Sequence, residues 1–345
     1  YTPQDSEQLA FYREDIKGQI LEEGISEAGS MGSWIAAGTA WSHSNQPMLP
    51  CYIFYSMFGF QRVADLVWNA ADCQARGFLL GATAGRTTLS GEGLQHEDGQ
   101  SQVYAATIPT CRAYDPAFSY EVAVIAEDGV RRMMTDNEHC FYYVTLYNEN
   151  YTHPSMPAGA EEGIRRGIYL LRPAPQSDKP RVQLIGSGSI LRLVLAAADL
   201  LETRFGVAVD VWSATSFGEL RKDGIACDRW NLLHPAEPPR TPYVTEQLAS
   251  RSGPVIGVSD FMRAYPDLIR NWVSQRYTVL GTDGFGRSDT RVALRDFFEI
   301  DERYIALAAL KSLADDGAIP RTALVEAMTQ FEINADKPTP LGHGE

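Results

Sequence analysis

Residues 181–201, RVQLIGSGSILRLVLAAADLL, decide the fold class of this chain. The short apolar run at 181–185 predicts a strand, GSGS at 186–189 predicts a tight turn, and 190–201 has the periodicity of an amphipathic helix. Leu191 stands where a dinucleotide-binding fingerprint has its third glycine, so a plain strand-to-helix turn is favoured over a nucleotide site. Strand, turn and helix in this order indicate an α/β domain.

The same alternation extends in both directions along the chain and predicts two successive doubly wound α/β domains, the first with a parallel sheet. The proline-containing stretch 148–179 has the composition of an interdomain crossing. We therefore expect a first domain at 1–160, a linker at 161–180 and a second domain at 181–345. Further strands are predicted at 49–55, 77–81, 140–146, 207–213, 254–259 and 277–281, and further helices at 60–71, 121–131, 302–315 and 321–331.

The bulk composition excludes several classes of protein. The net charge of -14, from 44 acidic and 30 basic residues, opposes binding to a nucleic acid backbone. No apolar run approaches the roughly 20 residues of a membrane span, and no leader pattern opens the chain, so we expect a cytoplasmic protein without a membrane partner. The five cysteines are widely spaced without a C-x-x-C pair, which suggests neither a disulfide framework nor a zinc site.

A carboxylate precedes a run of small residues near the start of the chain. Glu27 follows GIS at 24–26, and AGSMGSWIAAG at 28–38 predicts a helix over which a large flat ligand could approach closely. Acidic residues are common in a first helical turn because they complement the helix dipole, so this pattern alone also fits a structural role.

Two other segments carry candidate functional residues. The glycine-rich stretch 83–102 has no apolar periodicity and contains His96, which can exchange protons near neutral pH, although exposed polar loops hold such residues routinely. Tyr55 and Phe58 lie at a predicted strand end, where aromatic residues serve more often in the core than as a ligand platform. Asp283 and Gly284 are interpreted as a surface turn, not a metal loop.

Several of these runs together resemble the thiamine diphosphate enzymes of the transketolase type. The closest resemblance is to the carboxy-terminal half of the single-polypeptide bacterial pyruvate dehydrogenase decarboxylase component. The matching runs are GISE at 24–27, YSMFGFQR at 55–62, GRTTL at 85–89, GEGLQHEDG at 91–99, NENY at 148–151 and residues 280–289.

The resemblance implies roles for individual residues. Glu27 corresponds to the glutamate that hydrogen-bonds the aminopyrimidine of the cofactor and favours the imino tautomer that deprotonates the thiazolium carbon. Tyr55 and Phe58 correspond to aromatic residues packed on the pyrimidine, and Arg62 is a further cofactor-binding candidate in the same run. His96 corresponds to a histidine near the substrate, and it is the second catalytic candidate beside Glu27.

The chain departs from the family pattern in two respects. Gln100 and Gln102 stand where relatives commonly have the histidines of E-D-G-H-S-H, and glutamine can bind a substrate but cannot shuttle a proton at this pH. The resemblance implies that the diphosphate and Mg²⁺ motif of the family belongs to a separate amino-terminal domain, and we expect that motif, and the first strand and helix of the pyrimidine-binding domain, to lie outside residues 1–345. We therefore expect no metal ligands here and a partner polypeptide that supplies that site, in an α2β2-like or homodimer-derived assembly.

These implications lead to one principal functional hypothesis and two alternatives. The principal one is a part or β-type subunit of a thiamine diphosphate-dependent enzyme that decarboxylates a 2-oxo acid, pyruvate first, and passes the two-carbon unit on, with a lipoyl acyltransferase as a candidate acceptor. Gln100 and Gln102 motivate the first alternative, a split carboligase that transfers the acetyl unit to a carbonyl such as a sugar. The second alternative is a catalytically inactive scaffold subunit.

Overall fold

A parallel sheet forms the centre of the first domain. The computed structural model describes residues 16–341, and the first sheet within them has four strands in the order β1-β2-β4-β3, all parallel. The strand bounds are β1 (Cys51–Phe54), β2 (Phe78–Ala82), β3 (Cys111–Tyr114) and β4 (Phe141–Leu146). Strands β2 and β4 are the predicted apolar runs, as expected for inner strands of a parallel sheet covered on both faces.

Helices cover this sheet and define where its functional loops begin. The helices are α1 (Glu27–Gly38), α2 (Ala40–Ser44), α3 (Ser56–Asp72), α4 (Ser101–Ala105), α5 (Ser119–Val130) and α6 (Glu161–Arg166). Helix α1 packs on α3, and the buried Trp34 of α1 donates its indole N–H to the carbonyl oxygens of Pro50 and Phe78, each at 3.1 Å. Helix α1 is thereby also fixed against the amino ends of β1 and β2.

The second domain is built on a mixed sheet of five strands in the order β5-β7-β6-β8-β9. Its strands are β5 (Ile168–Arg172), β6 (Arg181–Gly186), β7 (Ala208–Ala214), β8 (Val255–Val258) and β9 (Tyr277–Leu280). Strand β5 runs antiparallel to β7, whereas the other pairs are parallel. Every residue of β7 is buried, because helices cover both faces of the sheet centre.

The helices of the second domain follow the predicted alternation. They are α7 (Leu191–Arg204), α8 (Phe217–Leu233), α9 (Tyr243–Ala249), α10 (Ala264–Asp267), α11 (Arg291–Phe297), α12 (Glu302–Asp315) and α13 (Thr322–Gln330). The turn between β6 and α7 contains Gly188 at φ +52° and joins strand to helix, as the sequence predicts. The prediction of two successive α/β domains is confirmed.

The range 161–180 is not a bare linker, which corrects the secondary structure expected there. It contains α6 and strand β5, and β5 pairs with Ala214 and its neighbours on β7, so the second sheet begins before residue 181. The prolines that follow the strand, Pro173, Pro175 and Pro180, concealed it in the sequence, because Pro-rich composition is typical of connections. The part 173–180 between β5 and β6 has no helix or strand.

The two domains are joined by buried hydrogen bonds at the carboxyl edge of the first sheet. Asp260, which follows β8, accepts the backbone N–H groups of Thr87 and Thr88 at 2.9 and 3.1 Å, and their hydroxyls at 2.7 and 2.6 Å. The loop 83–102 is therefore held against the second domain. No helix within residues 16–341 is long and apolar enough to cross a membrane.

Candidate functional site

Glu27 is the first residue of α1 and forms an ion pair with α3. The side chain of Ser26 caps the helix by accepting the Gly29 backbone N–H at 3.2 Å. An Oε1 atom of Glu27 lies 2.5 Å from a guanidinium nitrogen of Arg62, and the Glu27 side chain remains 19% exposed. The pair joins the start of α1 to the second turn of α3 and fixes the direction of the carboxylate.

Aromatic rings surround the Arg62 end of this pair. The guanidinium carbon of Arg62 lies 4.1 Å from the centroid of the Phe58 ring, which is cation–π distance. The rings of Tyr55 and Phe58 meet edge to face at 5.9 Å, and the His96 ring lies 5.0 and 4.9 Å from them. Glu27, Tyr55, Phe58, Arg62 and His96 therefore form one contiguous group, called here the acid–aromatic cluster.

The topology explains why residues so far apart in sequence meet. Tyr55 directly follows β1, Phe58 and Arg62 lie four residues apart on the first turns of α3, and His96 lies on the loop after β2. Because β1 and β2 are parallel neighbours, the segments after them meet at one edge of the sheet. The carboxyl edge of an open α/β sheet is the usual position of ligand sites.

One ring nitrogen of His96 makes no hydrogen bond within the described structure. Its Nδ1 atom is buried without a hydrogen-bond partner among the described residues, and the nearest carboxylate, that of Glu92, lies 3.8 Å away. The imidazole is 23% exposed. A histidine can accept or donate a proton at either ring nitrogen, and the exposed part of the imidazole is open to a ligand.

The two glutamines have different surroundings. Gln100 is partly exposed; its Oε1 accepts hydrogen bonds from Arg86 at 2.9 Å and from the Gly99 backbone at 3.1 Å, and its Nε2 contacts the sulfur of Met57 at 3.4 Å. Gln102 is fully buried and donates to the Tyr114 carbonyl at 2.9 Å and to Thr145 at 3.1 Å. The structure therefore brings Gln100 near the cluster but places Gln102 between β3 and β4.

Two charged residues near the cluster did not stand out as site candidates in the sequence. Glu97 is 1% exposed; burial raises its pKa to about 7, against the opposing effects of the Arg287 backbone hydrogen bond and the charge of Arg86. Arg86 is also buried and donates to the Thr282 carbonyl at 2.6 Å and to that of Gly284. Both residues lie in the family-like runs between 85 and 99, which could have marked them as candidates. The sequence did not indicate that their side chains are buried.

The described part of the chain offers no cation site of its own. Between residues 16 and 341, no group of three or more His, Cys, Asp or Glu side chains is arranged to hold a metal ion. Asp283, in the loop after β9, instead pairs with the Arg263 guanidinium at 3.2 Å. The chemistry within reach is therefore that of Glu27, His96 and the aromatic faces.

Comparison with known proteins matches both domains to characterised families. Residues 1–154 match the pyruvate dehydrogenase E1 component middle domain, and residues 167–301 match the transketolase-like TK C-terminal domain. The pyruvate dehydrogenase E1 components of Pseudomonas aeruginosa and Escherichia coli are 58% and 54% identical over 342 residues. These alignments cover 99% of this chain but only 39% and 38% of the relatives, so the chain spans about two fifths of their length.

Solved structures agree on the fold. A transketolase from Campylobacter jejuni has a TM-score of 0.61 at 19% identity, covering 80% of this chain and 38% of that one. A split gene transketolase described as an inactive beta4 tetramer also has a TM-score of 0.61, at 16% identity, covering 84% of this chain and 83% of that one. The chain therefore fits the transketolase-like superfamily, and its two domains correspond in order to the middle domain of a pyruvate dehydrogenase E1 component and to the transketolase-like C-terminal domain.

Proposed function

We propose that this chain is part, or a β-type subunit, of a thiamine diphosphate-dependent enzyme that decarboxylates pyruvate or a related 2-oxo acid and transfers the two-carbon acyl unit. The observation that carries the proposal is the acid–aromatic cluster at the carboxyl edge of the first sheet. It combines a partly exposed carboxylate, aromatic faces and an unpartnered imidazole nitrogen within a few ångströms.

The cluster fits the aminopyrimidine half of the cofactor. A nitrogen heterocycle needs an acceptor for its ring N–H and a flat face against which to pack, and Glu27 and the half-exposed Tyr55 offer these. The orphaned Nδ1 of His96 needs a hydrogen-bonding partner that the described residues do not supply. The diphosphate and Mg²⁺ would be bound by a partner domain or subunit, since the described residues lack a metal cluster.

The chain's own residues would orient the reacting groups. The bound cofactor supplies the electron sink for decarboxylation. Glu27 accepts a hydrogen bond from the heterocycle, while Arg62 holds its carboxylate in position at 2.5 Å. Phe58 supports Arg62 from beneath, and Tyr55 contributes the exposed ring face. His96 hydrogen-bonds the substrate and exchanges protons with it.

The proposal is tested with the chain reconstituted with a polypeptide that carries the diphosphate-binding domain, in the presence of thiamine diphosphate and Mg²⁺. We expect Glu27→Ala to reduce CO₂ release from pyruvate by about 100-fold or more, because a positioned proton-transfer group contributes about 10²–10⁴-fold. Asp65→Asn, which removes an exposed carboxylate from α3 near Arg62, is the matched control and should retain activity. Unchanged turnover of Glu27→Ala would favour an inactive scaffold instead.

Two further measurements separate the remaining alternatives. By calorimetry, the chain alone should bind thiamine diphosphate weakly or not at all, and tight Mg²⁺-dependent binding would contradict a split site. Assays with lipoamide and with carbonyl acceptors distinguish acyl transfer to a lipoyl group from carboligation. Transfer confined to carbonyl acceptors would replace the dehydrogenase proposal by the carboligase.

A further inference from the structure

A cavity lies on the opposite edge of the first sheet from the acid–aromatic cluster. This cleft has a volume of about 420 Å³ and lies between the two domains. Its walls are formed by the starts of β3 and β4, the last turn of α6 and the first turns of α8. Because the cluster follows the carboxyl ends of β1 and β2, the cleft at the amino ends of β3 and β4 is a separate site.

The wall of the cleft carries more cations than carboxylates, in a chain of net charge -14. The cations are Arg112, Arg132, Arg165, Arg166 and Lys222, and the carboxylates are Glu138, Glu219 and Asp223.

The wall carboxylates are already paired with wall cations. Glu138 lies 2.6 Å from Arg112 and 2.7 Å from Arg132, and Glu219 contacts both Arg112 and Lys222. These carboxylates therefore have little capacity to neutralise a further cation.

Arg165 is the cation left without a close partner. Its nearest carboxylates, Glu127 and Asp128, are each 3.9 Å away, and its Nε is buried without a hydrogen-bond partner among the described residues. Asp128 already accepts hydrogen bonds from the guanidinium groups of Arg131 and Arg132 at 2.7 and 2.8 Å. The rest of the Arg165 side chain lines the cleft and is 31% exposed, so a ligand that supplies acceptors would be stabilised here.

We infer that this cleft is a binding site for a phosphate-bearing small anion. A phosphoryl group supplies several acceptor oxygens and close to two negative charges, which matches the excess of cations, and a guanidinium binds it through paired N–H donors. The cavity volume falls in the range of small-molecule sites, so it has room for a phosphoryl group on a small organic molecule as well as for inorganic phosphate. The inference does not depend on the proposed catalytic function.

The test is calorimetric titration of the 345-residue chain at pH 7.5 and constant ionic strength, with inorganic phosphate in one arm and glycerol 3-phosphate in the other. We expect saturable binding in at least one arm, weakened about tenfold or more by Arg165→Gln, because the substitution removes the guanidinium that makes no side-chain hydrogen bond among the described residues. Tighter binding of glycerol 3-phosphate would identify an organic phosphate as the ligand, and binding of phosphate alone would identify the free anion.

Arg229→Gln is the matched control. Arg229 is exposed on the same helix as Lys222 but does not line the cleft, so its loss removes an equal charge and should leave the affinity within about twofold. Arg165 makes no side-chain hydrogen bond among the described residues, so Arg165→Gln should keep the wild-type melting temperature. Absence of saturable binding in both arms, or equal weakening by the two variants, would overturn the inference.

Discussion

Glu97 shows how a single buried carboxylate couples stability to pH. One carboxylate oxygen accepts the Arg287 backbone N–H at 2.6 Å, and the other is buried without a partner in the described structure. Burial raises the pKa of Glu97 from an ordinary 4.5 to about 7. The folded state therefore binds this proton more tightly than the unfolded state, and the stabilisation is complete below pH 4.5 and is lost as the pH rises through 7.

We predict that Glu97→Gln makes the free energy of unfolding less dependent on pH. Glutamine resembles the protonated acid and keeps an oxygen for the Arg287 N–H, so the variant should match the wild type near pH 5 and exceed its unfolding free energy by about 1–2 kcal/mol at pH 8, after allowance for solvent screening. Urea denaturation at pH 5 and pH 8 measures the difference in unfolding free energy between the variant and the wild type. Glu246→Gln, an exposed carboxylate on α9, should show the wild-type dependence. Parallel curves for wild type and Glu97→Gln would contradict the prediction.

The candidate site could be predicted from the sequence only in its outline. The motifs identified Glu27, Tyr55, Phe58, Arg62 and His96, and the structure brings them together, although their roles stay predictions. Their mutual contacts could not be predicted, because the ion pair between Glu27 and Arg62 depends on how α1 packs on α3.

The burial of individual side chains could not be predicted from the sequence either. Gln102 belongs to the same motif region as Gln100, yet it is enclosed by groups of β3 and β4. Two positions of a sequence motif that lie two residues apart can thus have unrelated surroundings. Its role at the substrate side stays a prediction, and the enclosed side chain gives that role no geometric support.

Among the elements, the buried strands were the easiest to predict and the polar ones were missed. Strands β6 and β8 differ from the predicted runs by no more than one residue at each end, because a continuous apolar run is typical of an inner parallel strand. Strand β3 has the sequence CRAY, and its second residue, Arg112, lines the cleft between the two domains. The strand therefore lacks the continuous apolar run that would have predicted it. Helix α8 was missed because its sequence is polar and contains two glycines.

Helix α3 depends on a glycine at its contact with β1. A Cβ atom added to Gly59 would overlap the ring of Phe54, the last residue of β1. We predict that Gly59→Ala lowers the free energy of unfolding by about 1–3 kcal/mol, because the buried ring must shift in a packed core. Urea denaturation followed by circular dichroism provides the measurement.

Gly32 in α1 is the matched control for this substitution. A Cβ at this exposed helical position meets nothing within 4 Å. Gly32→Ala should therefore raise the free energy of unfolding by up to about 1 kcal/mol, since alanine is the better helix former. The same chemical change is thus expected to have opposite signs in two neighbouring helices, and destabilisation of similar size in both variants would refute the steric explanation.

At the scale of the whole molecule, charged groups in the interior join the two domains. Asp260 of the second domain accepts four hydrogen bonds from Thr87 and Thr88 of the first. Arg295 on α11 pairs with Glu149 at 2.5 Å, although the two residues lie on different domains. The loop that carries His96 therefore depends on the second domain for its position, and its geometry could not follow from the sequence of the first domain alone.

We predict that Asp260→Ala destabilises the molecule by about 3 kcal/mol or more, because it leaves several buried N–H and O–H donors without an acceptor. Urea denaturation followed by tryptophan fluorescence measures the loss, since the buried Trp34 and Trp212 lie in the first and second domains. Asp267→Ala removes a partly exposed carboxylate that pairs with Arg270 in the same domain, and it should cost less than about 1 kcal/mol. Equal losses in the two variants would mean that the Asp260 contacts contribute no more than a surface ion pair, and the coupling of the His96 loop to the second domain would then need another origin.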